Sequence, residues 1–411
     1  MCASLKRCVA GCATVIAYVA YCCLTSQPTP GQRIRKADQE QQGVGTKVTA
    51  HGELGYADGT GAVDVVALGE SMVTFLPTRA GRLADVPSFD RGIGGAESNV
   101  VCALAAAGHR TRWVSRVGAD GFGDHLVEAI ARYGVDTSAV GRDPHRPTGI
   151  YFRTADDRDT DAHEVLYYRA GSAASAMSTA NVDQAALRSG YLLHLSGITA
   201  ALSADCLDLL RALTLPQALG SARAGETPSA TGADGVSFDV NYRPGLWPDG
   251  GQDVLLDLAR GAGLVFVGED EATEAWGITG GPDAIRAALP EPRLLVVKRG
   301  ADGAVAYGSR GARYEEPAPR VDVVAAVGAG DAFAAGFLSA TLRGLPVGQR
   351  LRHGHLMAAA ALTVPGDLAT PPPRDHADRL AALDAAAWER LHLGPGWTAA
   401  DDEAAQEVLT S

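Results

Sequence analysis

Positive charge is scarce in this chain: 36 Lys and Arg stand against 48 Asp and Glu, a formal net charge of −12. That deficit removes the electrostatic grip that nucleic acid or an anionic membrane surface requires. It leaves room for a small anionic ligand, which answers to a local pocket and not to the global sum. Cysteine is scarce outside the N-terminus. Cys2, Cys8, Cys12, Cys22 and Cys23 crowd the first two dozen residues, while Cys102 and Cys206 lie singly in apolar helical patterns. No metal-ligand spacing and no disulfide framework is visible, so the two body cysteines read as buried small hydrophobes. Long apolar runs are missing too. The longest sits in "LKRCVAGCATVIAYVAYCCLT", where two positive residues precede it as in a secretory signal, but it is short for a membrane span.

Residues 1–62 therefore read as an extension: an apolar segment, then a Gln-, Gly-, Thr- and Pro-rich stretch with the composition of a disordered linker. A mispredicted translation start, a genuine anchor and an unexplained tail all fit it. The chain as a whole has an ordinary globular composition, 46% hydrophobic and 20% charged. Its length allows two or three average domains, or one large α/β enzyme domain.

Continuous apolar runs ending in turns recur at "VDVVALGES", "TRWVSRVG", "YLLHLSG", "GVSFDVN", "GLVFVG" and "RLLVVKRG", with helical patterns such as "ESNVVCALAAAG" and "GDHLVEAIARYG" between most of them. Strands of that kind are buried on both faces, and their alternation with helices predicts an α/β fold: a mainly parallel central sheet with helices on both faces. Two stretches break the rhythm, about 73–93 and 147–170. Both are short, alternating and punctuated by Pro or Gly, and are expected to form a small β lid over the active site. The polar, Gly-rich 215–235 reads as a flexible surface insertion, and 391–411 as a C-terminal tail without signal, which confines the domain to 63–390.

In parallel sheets, ligands bind beyond the carboxyl ends of the strands. Asn241, Arg243, Glu271, Gly300 and the turn in "VGAGDAFAAGF" all fall there. In that turn Gly328, Ala329 and Gly330 leave backbone amides uncovered at a helix N-terminus, which makes an anion hole. Asp331 beside it repels the charge the amides attract, unless it works as a general base on a hydroxyl nucleophile while they hold a phosphoryl group.

These residues resemble the ribokinase-like (PfkB) carbohydrate kinase family, over about 63–385. The GAGD turn and its small-residue helix are the most specific match, joined by "GIGGAESNVVCALAAAG" and "VSRVGADGFG". A GxGG turn alone would also suit a dinucleotide, but no strand-end acid stands at the required spacing. The resemblance implies that Gly94, Gly95 and Asn99 hold a sugar. "YYRAGSAAS", "LHLSGITAALS" and "SFDVNYRPGLW" look like the 2-keto-3-deoxygluconate kinases within the family. A sugar acid needs a cation, ideally a forked guanidinium, so Arg169 and Arg243 are expected on its carboxylate, with Tyr151 and Tyr167 closing over it and Asp367 nearby. Arg243 has a structural alternative in an ion pair with an acid such as Asp239, and Arg169 and the tyrosines one in covering a sheet edge.

For ATP, the resemblance points to Lys298, Gly300 and Gly303 in "VVKRGADGA", to the anion-hole glycines, to Gly268 and to His355 beside the adenine. It places Glu271 at a water-mediated Mg2+ site. The sequence departs from the family at Gly268, where the family carries Asn, and at Ala325, where it carries the Asp of a monovalent-cation site. The expectation is a cytoplasmic, ATP-dependent sugar-acid kinase, paired into a homo-oligomer through the lid, with no nucleic acid or membrane partner for the kinase domain. A kinase of a neutral sugar such as fructose and a sugar-binding sensor of the same fold are the alternatives.

Overall fold

The computed structural model of the chain describes residues 63–79, 81–154, 165–214, 235–248 and 250–399. The expected N-terminal extension, the body of the 215–235 insertion and the end of the tail lie outside them.

Thirteen strands carry the architecture: β1 (Val63–Leu68), β2 (Met72–Pro77), β3 (Phe89–Gly94), β4 (Thr111–Gly118), β5 (Val140–Asp143), β6 (Ile150–Arg153), β7 (Val165–Tyr168), β8 (Gly190–Ser196), β9 (Val236–Asp239), β10 (Leu264–Gly268), β11 (Leu294–Lys298), β12 (Ala304–Tyr307) and β13 (Arg313–Glu316). Nine form one sheet in the order β13-β12-β11-β10-β9-β8-β1-β4-β5. All its pairings are parallel except β11 with β12 and β12 with β13. Those antiparallel edge strands are an addition to what the apolar runs predict.

The central strands are apolar along their whole length because both faces are covered. In β10, Leu264 and Phe266 enter one buried cluster and Val265 and Val267 the other, and β11 divides in the same way. Successive side chains of a strand point to opposite faces, so each cluster is the contact of one sheet face with its helices. Of the helices, five position the site: α1 (Ala96–Ala106), α2 (Gly121–Arg132), α3 (Glu269–Trp276), α4 (Ala329–Leu342) and α5 (Val347–Leu362). Cys102 and Cys206 are buried, and burial pushes the Cys102 thiol up to about 12.

Strand order turns outward in both directions from the pair β1–β8, so the crevice beyond their carboxyl ends is the fold's switch point. Above it stands a second sheet of four strands, β3-β2-β6-β7, drawn from the two segments that break the helix–strand rhythm. Residues 155–164, between β6 and β7, lie outside the described residues.

The packed body runs past residue 390, where the sequence pattern predicts its end. Two further short strands, β14 (Arg320–Val321) and β15 (His392–Leu393), pair in parallel. Leu391, Leu393 and Trp397 are buried in a cluster with Trp388 and with Leu356 of α5. A few apolar side chains in a short, aperiodic stretch suffice for this, which is why no pattern announces it. Among the described residues no helix is long and apolar enough to cross a membrane.

Candidate active site

The "VGAGD" turn is built by close approach. Gly328 has a left-handed backbone, φ 76°, and a Cβ there would collide with the main-chain carbonyl of Asp367. This lets the chain turn directly into α4, whose first three residues are Ala329, Gly330 and Asp331. The amides of a first helical turn have no intrahelical acceptor and carry the positive end of the helix dipole. The buried Asn99 of α1 donates from Nδ2 to Asp331 Oδ2 at 2.8 Å, which fixes the carboxylate over the turn. Burial pushes the Asp331 carboxyl up to about 7; Asn99 opposes this, Asp239 adds to it, and Arg243 and Lys298 oppose it.

Two chambers meet at this acid. The smaller, about 300 Å³, is bounded by Asn241, Arg243, Glu271, Lys298 and residues 326–331. The larger, about 550 Å³, lies beneath the four-stranded sheet. Asn241, Arg243, Val327, Gly328 and Asp331 belong to the walls of both. Asn241 sits with φ 43°, a conformation few side chains tolerate but one Asn adopts through local hydrogen bonding.

In the smaller chamber Lys298 Nζ donates to both carboxylate oxygens of the buried Asp239 at 3.0 Å. Burial alone would lower the Lys298 ammonium, but Asp239, Glu271 and Asp331 around it raise it, so the cation is secure. Glu271 caps α3 by accepting from the Gly268 amide at 2.6 Å, and its other oxygen lies 3.6 Å from Arg243. Burial raises its pKa, with Lys298 opposing.

In the larger chamber Tyr151 donates to Asp367 Oδ2 at 3.0 Å, and Arg153 pairs with Oδ1 at 3.0 Å. A side chain at Gly94 would collide with that hydroxyl and that carboxylate, so the glycine makes room for the pair. Arg169 is tied to Glu70, an acid buried just beyond the end of β1, and lies 5.7 Å over the Tyr167 ring. Glu70 also accepts from Ser172 Oγ at 2.6 Å.

Residues 62–374 match the model of the pfkB family carbohydrate kinases. The chain belongs to that family. The kinase is 35% identical over 319 residues to the 2-dehydro-3-deoxygluconokinase of Bacillus subtilis (strain 168), covering 76% of its own length and 94% of the relative's. It is 32% identical over 326 residues to the enzyme of the same name from Thermoproteus tenax, 78% and 95% of the two chains. Among solved structures, a PfkB protein from Polaromonas sp. JS666 superposes with a TM-score of 0.63 at 35% identity, over 74% of the kinase and 98% of that chain. The fold is ribokinase-like, and the protein is a sugar kinase.

Of the residues singled out from the sequence, Asp331, Gly328, Ala329, Gly330, Lys298, Glu271 and Arg243 converge on the smaller chamber, and Gly94, Gly95, Asn99, Tyr151, Tyr167, Arg169 and Asp367 on the larger. Gly268 stands behind them, its amide taken by Glu271. Gly300, Gly303 and His355 are not brought into either chamber. Gly303 serves close packing, since a Cβ there would collide with the Glu316 carbonyl, and Gly300 makes a left-handed turn at φ 56°. His355 is buried within α5, its Nε2 3.2 Å from the Glu316 carbonyl and its ring edge-on to Phe333; burial lowers it to about 4. Its surroundings favour the packing role that the sequence also allows.

Arg243 does not pair with Asp239, which Lys298 occupies, but leans toward Glu271 with 53% of its side chain exposed. Sequence reasoning passes over Arg153 and Glu70. Arg153 carries a signal: it lies two residues beyond Tyr151 on one strand, and such residues share a face.

Proposed function

We propose that this kinase transfers the γ-phosphoryl group of ATP to the terminal hydroxyl of a 2-keto-3-deoxy sugar acid, with Asp331 as general base. The observation that carries the reading is the place of Asp331: a carboxylate raised to about 7, at a turn that walls both chambers. A base works best with its pKa near the operating pH. The nucleotide's phosphates fit the smaller chamber, against Lys298 and the uncovered amides, and the sugar acid fits the larger. A hydroxyl entering from the sugar side meets Asp331, gives up its proton there and faces the phosphoryl group held by the turn.

The acid end needs cations with free donors. Arg169 already answers to Glu70, so its part is to shape the wall. Arg243, half exposed and only loosely engaged with Glu271, supplies the open fork, while Arg153, paired with the buried Asp367, shapes the wall as Arg169 does. The B. subtilis and T. tenax relatives' names point to the same substrate class.

Magnesium fits the smaller chamber. Glu271 offers a hard carboxylate oxygen there, and no group of three or more His, Cys, Asp or Glu side chains among the described residues forms a complete protein cage. Mg2+ characteristically takes one or two carboxylates together with substrate phosphates and waters. Bound there it neutralises phosphate charge, while Lys298 and the turn orient the group to be transferred.

The four-stranded sheet acts as a lid that excludes water as a competing acceptor. Its edge strand β7 exposes Leu166, Tyr167 and Tyr168, at 43%, 51% and 57%, so among the described residues this edge carries exposed apolar surface. Such an edge is suited to pairing with a second copy of the chain. A need for ATP as phosphoryl donor fits a reaction in the cytoplasm.

The test is a coupled assay with 2-keto-3-deoxygluconate, its galactonate epimer and fructose, each with ATP and Mg2+, on the wild type and on Arg243→Ala. A charge-assisted hydrogen bond contributes about 1.5–3 kcal/mol. Arg243→Ala should therefore cost roughly tenfold to a hundredfold in kcat/KM for the sugar acids and far less for fructose. A wild type that prefers fructose would establish the neutral-sugar reading; no ADP release with any substrate would leave a sensor.

A further inference from the structure

A second cleft, of about 450 Å³, lies on the small sheet beside α2 and is closed at one side by residues 365–368. It is basic in a protein that is otherwise acidic. Arg91 reaches it from β3, and His125 and Arg132 from α2. The acids nearby are weakly placed to neutralise them. Glu128 meets Arg132 at 3.4 Å with both side chains about two-thirds exposed, and the carboxylate of Asp367 is held by Arg153 and Tyr151. Exposed pairs of the first kind contribute little.

His125 gives the cleft a specific polar group. Its Nε2 is buried with no hydrogen-bond partner in the described structure, while a backbone hydrogen bond at Gly92 holds the ring through its other nitrogen. Burial first, then Arg91 and Arg132, push the imidazole down, so both guanidinium charges are felt at one ring. A buried nitrogen without a partner costs free energy unless a ligand or water meets it. Two guanidinium groups from two elements, converging on an imidazole that an arriving anion would help to protonate, have the chemistry of a phosphate site.

We propose that this cleft is a second anion site, separate from the two chambers, that takes the phosphate of a small phosphorylated metabolite. Its occupant touches the segment that carries Asp367. That residue's carboxylate lines the sugar chamber, and its carbonyl packs against Gly328 of the catalytic turn. The cleft and the sugar chamber thus share one wall, and any effect of one ligand on the other's affinity would be reciprocal.

Calorimetric titration of the full chain with 3-phosphoglycerate, and separately with inorganic phosphate, tests this on the wild type, the double variant Arg91→Gln with Arg132→Gln, and Arg243→Ala. Both cleft arginines are exposed, so the double variant should keep the wild-type Tm. Saturable binding that weakens tenfold or more in the double variant, yet changes less than about threefold in Arg243→Ala, is the expected result. Tighter binding of phosphoglycerate than of phosphate identifies an organic phosphomonoester, and equal binding a free anion; both support the site. Unchanged affinity in the double variant, loss in Arg243→Ala, or no saturable binding to the wild type below ~10 mM overturns it.

Discussion

Asp331→Asn separates the two consequences of a strained catalytic carboxylate. The side chain keeps its shape and can still accept from Asn99 Nδ2, so the turn should hold its conformation. Activity should fall by about 10²–10⁴-fold in kcat, the usual contribution of a general base, with little change in substrate affinity. Stability should rise. The folded carboxyl is raised from 3.8 to about 7, roughly three units at 1.36 kcal/mol each, or about 4 kcal/mol. Asp331 retains partial exposure, so solvent screening reduces that to about 2 kcal/mol. For a body of roughly 300 residues, with ~2.1 cal/mol/K of unfolding entropy each, the gain is about 3 °C in Tm.

The pH dependence fixes the sign. An acid with a raised folded pKa binds its proton more tightly in the native state, so its contribution is fully present below the unfolded pKa and is lost as pH rises toward about 7. The stabilisation gained by Asp331→Asn should therefore be complete near pH 8, shrink as pH falls below 7 and vanish near pH 4. Scanning fluorimetry of both proteins across that range reads it directly. In the wild type, kcat/KM should fall below about pH 7 with unit slope as the base takes up its proton. A variant no more stable at pH 8 than at pH 4 would show that the carboxylate is not strained, and turnover within tenfold of wild type would remove it from the proton transfer.

Lys298→Met should raise the KM for ATP and lower stability by about 3–5 kcal/mol, because Asp239 is left charged and buried without its partner; restoration of stability by a second change, Asp239→Asn, measured by urea unfolding, distinguishes that cause from lost packing. Ending the chain after Arg390 should destabilise the protein by several kcal/mol, since Leu391, Leu393 and Trp397 leave a buried cluster. A truncated protein with unchanged Tm would mean that the C-terminal stretch is dispensable after all.

The central sheet is legible in the sequence because burial on both faces leaves a continuous apolar run, and the glycine turn of 328–331 because glycine at a close approach and an acid at a helix start are each unusual without a task. Partnerships are less legible. Nothing local announces that Lys298 is held by Asp239, 59 positions earlier in the chain, nor distinguishes an arginine open to substrate from Arg169, whose charge is bound to Glu70 far earlier. For His355 the resemblance leaves two roles open, and only its place in a largely buried helix, against the Glu316 carbonyl, speaks for packing.

The same point separates the arginines by function. A guanidinium with its own buried acid is neutral to an incoming carboxylate, whatever its distance from the chamber, while Arg243, exposed and 3.6 Å from Glu271, can change partners without leaving a buried charge behind. Its move toward a sugar acid would also free the Glu271 oxygen facing the smaller chamber, where a divalent cation would be wanted. Arrival of substrate on one side of Asp331 and readiness for phosphate on the other would thereby be linked through a single loosely held side chain.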